Sequence, residues 1–227
     1  MEHAGAGSRA SEVVEVEIKV TVDGARMREV WPRVKSLGLI KVAPRARLLR
    51  STYFDTAGHA LRAAGIALRL RKTGRTTVQT VKAKATLSSG LSRTGEWHAP
   101  APDAEIDLGR VDDDAIRALM IERIGSSKLA PICETVIRRQ AAILRPSIGQ
   151  AIELAVDQVE LTAGDRKASF HEVELELKEG SIASAYELLG HIFPDGGLDF
   201  SEMSKSARGY LLAAEGVVAR PRAPQKA

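Results

Sequence analysis

The sequence predicts an α+β fold, in which a single antiparallel β-rich domain carries helices packed on its outside. Most of the chain alternates apolar and polar residues, which is typical of strands. Short turn signals, rather than long helical stretches, separate several of these segments. The chain has 227 residues, of which 44% are hydrophobic and 27% are charged. That length and composition suit a globular domain with a substantial buried core.

The strand predictions follow the alternation along the chain, because side chains two apart in a strand point to the same face. Turn signals at 73–75, 88–90, 146–149 and 163–166 lie between several of the strands. Thr73-Gly74-Arg75 is typical of a hairpin turn. Clear alternation runs through residues 13–20, 48–54, 66–72 and 76–84, and further candidate strands are 91–98, 135–144, 151–157, 158–162 and 167–178.

Helical spacing of apolar residues is confined to four stretches. Asp23 is a candidate N-cap for the first helix, which Pro32 is expected to bend or restart. Residues 112–124 begin with three acids, which suit the N-terminus of a helix. Ser181 is a candidate cap for a third helix, and residues 204–215 form the fourth.

Composition limits the classes of function. The formal net charge of +4 and the pI of about 9.3 favour an anionic ligand only weakly. Aromatic residues make up 4% of the chain, which argues against binding of single-stranded nucleic acid. Cys133 is the single cysteine, so an intrachain disulfide is impossible and a Cys-based zinc site is disfavoured. A lone cysteine fits a reducing compartment, and we expect the protein to be cytoplasmic.

The ends of the chain differ from its centre. Residues 1–11 carry no apolar segment of the kind found in secretory signals and are expected to form a flexible leader. Residues 216–227 are expected to form a basic, Pro-containing tail, which leaves 12–215 as the folded domain. No stretch approaches the roughly 18 apolar residues needed to span a bilayer, so we expect no membrane partner.

The polar faces of the strands group charges of like sign. An antiparallel sheet with one wet face would also alternate, but like charges side by side cost stability. Neighbouring carboxylates call for a cation among them, and paired arginines suit a multiply charged anion. These faces predict a charge-lined barrel that holds Mg²⁺ or Mn²⁺ and a polyphosphate. The grouped charges are Glu15 with Glu17, Arg69 with Arg71, Lys82 with Lys84, and Glu172 with Glu174 and Glu176.

Several segments, in this order, resemble the CYTH superfamily, also called triphosphate tunnel metalloenzymes. The segment E-V-E-I-K at 15–19 is similar to the ExExK signature, and 51–71 is similar to the block that begins Y-F-D-T. The acidic strands at 151–164 and 171–180 and the S-K-S-A-R-G-Y block at 204–210 extend the likeness. The nearest relatives implied are bacterial inorganic triphosphatases, here expected as a CYTH domain without the helical CHAD domain that often follows it.

The resemblance implies an eight-stranded antiparallel β-barrel, the triphosphate tunnel, with Mg²⁺ or Mn²⁺ held by carboxylates. In the middle strand it favours Arg138 over its neighbour Arg139. The implied catalytic residues are Glu15, Glu17, Lys19 and Lys205. The implied metal ligands are Glu15, Glu17, Asp157, Glu172 and Glu174. The implied substrate-binding residues are Lys19, Arg69, Arg71, Lys82, Arg138 and Lys205.

The expected activity is metal-dependent hydrolysis of inorganic triphosphate to pyrophosphate and phosphate. Hydrolysis of thiamine triphosphate or of a nucleoside triphosphate, and cyclisation of ATP, remain open because each would use the same grip on a triphosphate. A non-catalytic polyphosphate-binding module is a further alternative. The expected partner is a small-molecule triphosphate, with no nucleic acid, and the sequence leaves a homodimer open.

Overall fold

The structure is a computed structural model that describes residues 13–40 and 42–215. The predicted leader, 1–11, and the predicted tail, 216–227, lie outside the described residues. Segments in which apolar and polar residues alternate form nine strands in the described part of the chain. They are β1 (Val13–Val22), β2 (Arg45–Thr56), β3 (Ala67–Thr73), β4 (Thr76–Ser88), β5 (Leu91–Pro100), β6 (Leu129–Leu144), β7 (Ala151–Ala163), β8 (Arg166–Glu179) and β9 (Asp199–Phe200).

Eight of these strands close into an antiparallel barrel. The order of hydrogen-bonded neighbours is β5-β4-β3-β2-β6-β7-β8-β1, and β1 pairs with β5 to complete the ring. The two-residue β9 adds to β1 at Val20 and Thr21. Closure confirms the predicted fold class and leaves the eight main strands without an unpaired edge.

Two details differ from the sequence prediction. The segments 151–157 and 158–162 form one continuous strand, β7, because its pairing with β6 runs unbroken from Ile152 to Thr162. The first helix, α1 (Gly24–Ser36), continues through Pro32. Val30 and Val34 are fully buried on this helix, and tertiary packing of that face compensates for the backbone hydrogen bond that proline cannot donate.

Helices cover two patches of the outer barrel wall. α1 and α4 (Ile182–Ile192) cover β1, β7 and β8, and they bury a core that includes Ile18, Leu154 and Leu175. α2 (Ala60–Ala63) and α3 (Asp114–Ile124) cover β3 and β4 around Leu68 and Met120. Within the described residues, no helix has the length and apolar character needed to cross a membrane.

The capping residues that the sequence predicts begin α1 and α4. Asp23 Oδ1 accepts hydrogen bonds from the backbone N–H groups of Ala25 and Arg26, each at 2.8 Å. Ser181 caps α4 by accepting from Ser184 N at 3.4 Å. These bonds satisfy N–H groups that have no acceptor within the helix, which fixes where each helix starts.

The last helix, α5 (Lys205–Glu215), packs on residues of the inner face of the barrel. Its Leu212 joins an apolar cluster of inward residues from β2, β6, β7 and β8, including Ile137, Val159 and Leu161. The interior is therefore divided between an apolar part that α5 fills and a charged part that stays open. Lys205, the first residue of α5, lies at the boundary between the two parts.

Candidate functional site

The charged part of the interior is a cavity of about 340 Å³. Residues directly opposite each other in paired strands share a face, so the register brings side chains from neighbouring strands to the same wall. Lys19 lies opposite Glu174, Arg71 opposite Ser51, and Arg69 opposite Tyr53. Eight of the predicted site residues line this cavity: Glu15, Glu17, Lys19, Arg69, Arg71, Lys82, Glu174 and Lys205.

Lys205 is the centre of a buried ion-pair network. Its Nζ donates to Glu172 Oε2 at 2.6 Å and to Glu174 Oε1 at 2.5 Å, and it lies 3.2 Å from Asp157 Oδ2. Burial alone would raise the pKa of Glu174, but the cations Lys205 and Arg139 outweigh burial and hold this pKa well below its usual range. Glu174 is therefore a carboxylate at neutral pH. The network also fixes the ammonium of Lys205 at the cavity wall.

The middle strand contributes Arg139, not the predicted Arg138. Arg139 lines the cavity, where its Nε and NH2 donate to the two oxygens of Asp157 at 2.7 Å and NH2 also donates to Glu174 Oε2 at 2.5 Å. The side chain of Arg138 lies on the outer face, 57% exposed, and donates to Glu160 at 2.5 Å. Adjacent residues of a strand face opposite sides, so only one of the two can lie inside. The register selects Arg139.

Asp157 and Glu172, two of the predicted metal ligands, lie behind the cavity surface. Both are buried, and neither is among the residues that line the cavity. Both oxygens of Asp157 accept from Arg139, while Glu172 accepts from Lys205 and from Ser201 Oγ at 3.4 Å. In this arrangement the two carboxylates orient the cations that reach the cavity.

The pKa values of the two β1 carboxylates, Glu15 and Glu17, are shifted in opposite directions. Burial would raise the pKa of Glu15, but Lys82, which donates to Glu15 Oε2 at 2.6 Å, and Lys19 lower it to about 2. Glu17 pairs with Lys19 at 2.6 Å, yet burial together with the nearby Glu174 and Glu15 raises its pKa to about 7. Glu17 can therefore gain or lose a proton near neutral pH.

Two arginines on β3 have no acidic partner. Among the described residues, no carboxylate oxygen lies within 4 Å of the guanidinium of Arg69 or Arg71. Arg71 Nε donates to Ser51 Oγ at 2.9 Å, and Arg69 NH1 contacts the Tyr53 hydroxyl at 3.5 Å, while Arg69 Nε has no hydrogen-bond partner. Burial, reinforced by Arg69, lowers the pKa of Arg71 to about 9. Two crowded, unpaired guanidiniums are a site for an anion with several oxygens.

Some residues of the site were absent from the sequence prediction. Glu96 on β5 is buried and contacts Lys82. Arg208 is buried one helical turn after Lys205, and its NH2 lies 3.7 Å from Glu172 Oε1. The three-residue spacing from Lys205 to Arg208, which puts both on one helix face, is a signal that could have found Arg208.

The metal-binding capacity of these carboxylates can be judged from their surroundings. Among residues 13–40 and 42–215, no three His, Cys, Asp or Glu side chains gather in an arrangement that would hold a metal ion, since most of the carboxylates turn towards Lys and Arg. The donor chemistry fits a hard divalent cation, because the candidates are carboxylate oxygens. Burial, together with the nearby Glu174 and Glu15, raises the pKa of Glu17 although Lys19 lies 2.6 Å from it, which favours a further cation beside these carboxylates.

Comparisons with known proteins agree with this geometry. The family model of the CYTH domain matches residues 14–210. The chain belongs to the CYTH family. This CYTH domain is 29% identical over 168 residues to an inorganic triphosphatase of Haemophilus influenzae. That match takes in 74% of this chain but 46% of the relative, so the chain spans about half the length of the relative.

Solved structures support the fold of the CYTH domain. A protein of Hippeastrum, described as a candidate adenylyl cyclase with a dominant triphosphatase activity, superposes with a TM-score of 0.62 at 18% identity over 92% of this chain and 99% of that one. A candidate adenylate cyclase of Bacillus halodurans gives a TM-score of 0.52 at 20% identity, covering 81% of this chain and 90% of that one. At such identities the likeness concerns the fold alone.

Proposed function

We propose that this CYTH domain hydrolyses inorganic triphosphate to pyrophosphate and phosphate with the help of a divalent metal ion. The observation that carries the proposal is a pair of arginines that line the cavity, the buried Arg69 and the half-buried Arg71. Neither has a carboxylate partner among the described residues. A buried guanidinium that lacks an acid costs free energy unless a ligand supplies the negative charge. A linear triphosphate supplies several negative charges in a row, which would neutralise both guanidiniums.

The bases of the cavity bind and orient this substrate. Arg69 and Arg71 come from β3, Lys82 from β4 and Arg139 from β6, so the cations surround the cavity instead of lying on one wall. Phosphoryl transfer depends mainly on alignment and charge neutralisation, which a rigid ring of cations provides. Lys205 is held by three acids and contributes a fixed charge at the α5 side.

Glu15, Glu17 and Glu174 are the residues that would hold Mg²⁺ or Mn²⁺. The ion, when bound, would supply neutralisation of charge on the phosphate oxygens. A carboxylate of this group would accept the proton of the attacking water as the general base. The water oxygen would then bond to the terminal phosphorus, and the anhydride bond would break to release pyrophosphate and phosphate.

The test is release of phosphate from inorganic triphosphate, ATP and thiamine triphosphate, each with Mg²⁺, Mn²⁺ or a chelator. We expect turnover of inorganic triphosphate that stops in chelator. Arg69→Gln and Arg71→Gln should each lower kcat/KM by about 100-fold, the usual order of loss when one buried donor to a reacting anion is removed. The matched control is Arg75→Gln, in the exposed turn between β3 and β4.

Each outcome distinguishes the alternatives. Faster turnover of ATP or thiamine triphosphate would replace the proposed substrate with that one. Tight triphosphate binding without any turnover would identify a binding module. Full activity of both Arg69→Gln and Arg71→Gln would contradict the proposal.

A further inference from the structure

A second cavity, of about 870 Å³, lies at the end of the barrel where β2 begins and β6 ends. Its lining comes from residues within 38–40 and 42–49, from the end of β3, from residues within 139–145 and from Glu153 of β7. Arg71 and Arg139 line both this cavity and the charged one. The two cavities therefore meet at these two guanidiniums.

This second cavity, which we call the arginine mouth, continues the inner face of β2. Arg45 and Arg47 follow the same alternation as Ser51 and Tyr53, and they pair in register with Ala141 and Arg139 of β6. Arg47 thus stands directly opposite Arg139. Like charges at opposed positions of an antiparallel pair are destabilising, and the carboxylates of Asp157 and Glu174 compensate Arg139 but not Arg47.

The two arginines at the start of β2 have no acidic partner among the described residues. Arg45 and Arg47 make no side-chain hydrogen bond or ion pair with any described residue, and both are exposed. Arg145 contacts Glu179 at 3.4 Å, an exposed pair that adds little stability. Glu153 is the single carboxylate among the described residues that line this mouth.

We propose that the arginine mouth binds the phosphate groups of a linear polyphosphate beyond the third, so that the domain prefers chains longer than triphosphate. The inference rests on the proposed function for its reaction but not for its binding. A chain with one end among Arg69, Arg71 and Lys82 would pass Arg139 and place its next phosphates beside Arg47 and Arg45. Charge complementarity favours this occupant, since each added phosphate brings a negative charge that these arginines lack.

The reaction of the longer chain needs no further reactant. A water oxygen bonds to the terminal phosphorus and the neighbouring P–O bond breaks. The leaving polyphosphate is one unit shorter, and the proton of the water passes to the carboxylate base. The arginine mouth would hold the part of the chain that does not react, so its effect should fall on binding and on KM.

The experiment compares inorganic triphosphate with linear polyphosphates of four and six phosphates. Calorimetric binding in chelator and kinetics in Mg²⁺ are measured for the wild type, for Arg45→Gln/Arg47→Gln, and for Arg50→Gln. Arg50 is the matched control because it is an exposed arginine on the same strand that faces away from the interior.

We expect the wild type to bind the six-phosphate chain more tightly than triphosphate, and Arg45→Gln/Arg47→Gln to weaken the longer chain about fivefold at low salt. That factor is of the size that two exposed charge pairs give. Triphosphate binding should change less than twofold, and Arg50→Gln should change neither ligand. The preference for the longer chain should decline as salt screens the exposed arginines.

Other results would overturn the inference. Equal weakening of triphosphate and longer chains would show that the mouth only attracts anions in general, and equal wild-type affinity for all lengths would show that it binds nothing. If no substrate is hydrolysed but long chains still bind through Arg45 and Arg47, the proposed function fails while this site stands. If triphosphate is hydrolysed without any preference for chain length, the proposed function stands and the binding site at the arginine mouth fails.

Discussion

At the scale of single residues, the site is governed by the balance between burial and opposite charge. Glu15 and Glu17 lie two residues apart on one face, yet the pKa of the first is about 2 and that of the second about 7. Both are desolvated and both feel Lys19 and Lys82, but Glu17 is the more deeply buried and is repelled by two carboxylates, Glu174 and Glu15. The depth of burial and the number of repelling carboxylates therefore decide the protonation of each acid.

Glu17 should make stability depend on pH when metal is absent. Its pKa of about 7 in the folded protein is above the ordinary 4.5, so the folded state holds its proton more tightly. Its contribution is full below about pH 4.5 and is lost as pH rises through 7. In chelator, the free energy of unfolding should fall by up to about 3 kcal/mol across this range.

The measurement is urea denaturation at pH 5 to 8 in chelator for wild type and Glu17→Gln, which cannot titrate. We expect a flatter profile for the variant. Glu29→Gln, an exposed substitution on α1, is the control and should follow the wild type. Parallel profiles for wild type and Glu17→Gln would contradict the assignment.

The two arginines of the middle strand should differ in their effect on stability. Arg139→Gln leaves Asp157, which is fully buried, with only Lys205 at 3.2 Å, and should lower the free energy of unfolding by about 3 kcal/mol. Arg138→Gln removes an exposed pair with Glu160 and should cost less than about 1 kcal/mol. Urea denaturation at pH 7 tests both. Similar losses for the two variants would mean that their placement is wrong.

At the scale of elements, the position of α5 depends on close contact with the barrel. Tyr210 donates from its hydroxyl to the buried Asp55 Oδ2 at 2.6 Å. Asp55 also accepts from the backbone N–H groups of Leu61 and Arg62 at 2.9 Å, so one carboxylate ties α5 to α2. The fixed helix then presents Lys205 to the acids of β7 and β8.

Gly209 should be required for this docking. A Cβ at Gly209 would overlap with Cys133 Sγ, so Gly209→Ala should push α5 away from β6 and destabilise the protein by about 2 kcal/mol. Cys133→Ala removes the sulfur and should recover part of that loss in the double variant. Gly190→Ala in α4, where nothing lies within 4 Å, should be neutral or slightly stabilising. Thermal and urea unfolding of the four variants measure the coupling, and additive losses would exclude the contact.

At the scale of the whole molecule, the closed barrel brings distant parts of the sequence together around one ligand-binding cavity. The cations around the cavity come from β1, α2, β3, β4, β6 and α5, and β1 closes the ring by pairing with both β5 and β8. An anion bound there would link all of these elements. Binding and global stability should therefore be coupled.

Inorganic triphosphate should raise the melting temperature even in chelator. At 100 times Kd the gain is about 2.7 kcal/mol, which corresponds to roughly 5 to 10 °C for a domain of this size. Arg69→Gln/Arg71→Gln should lose most of the shift. Sulfate at matched ionic strength is the control, and an equal shift with sulfate would show that the cavity does not select a linear polyanion.

The sequence predicted much of the fold and of the cavity. Strand alternation and turn signals located the strands apart from the two-residue β9, although they divided β7 into two, and the grouping of like charges indicated which faces would meet. Glu15, Glu17, Lys19, Arg69, Arg71 and Lys82 were predicted and do line one cavity. These features are local: a period of two assigns each side chain to a face, and hydrophobic burial makes the apolar face point outward to the helices.

Only the tertiary structure decided which charges neutralise one another. In a run such as Val136-Ile137-Arg138-Arg139, alternation shows that the two arginines face opposite sides, but the pairing with β7 decides which of them faces Asp157. The arginine mouth, and the setting of Asp157 and Glu172 behind the cavity wall, likewise depend on strand register and on where α5 docks. Electrostatic interaction depends on distance in space and on desolvation, and neither is set by spacing along the chain.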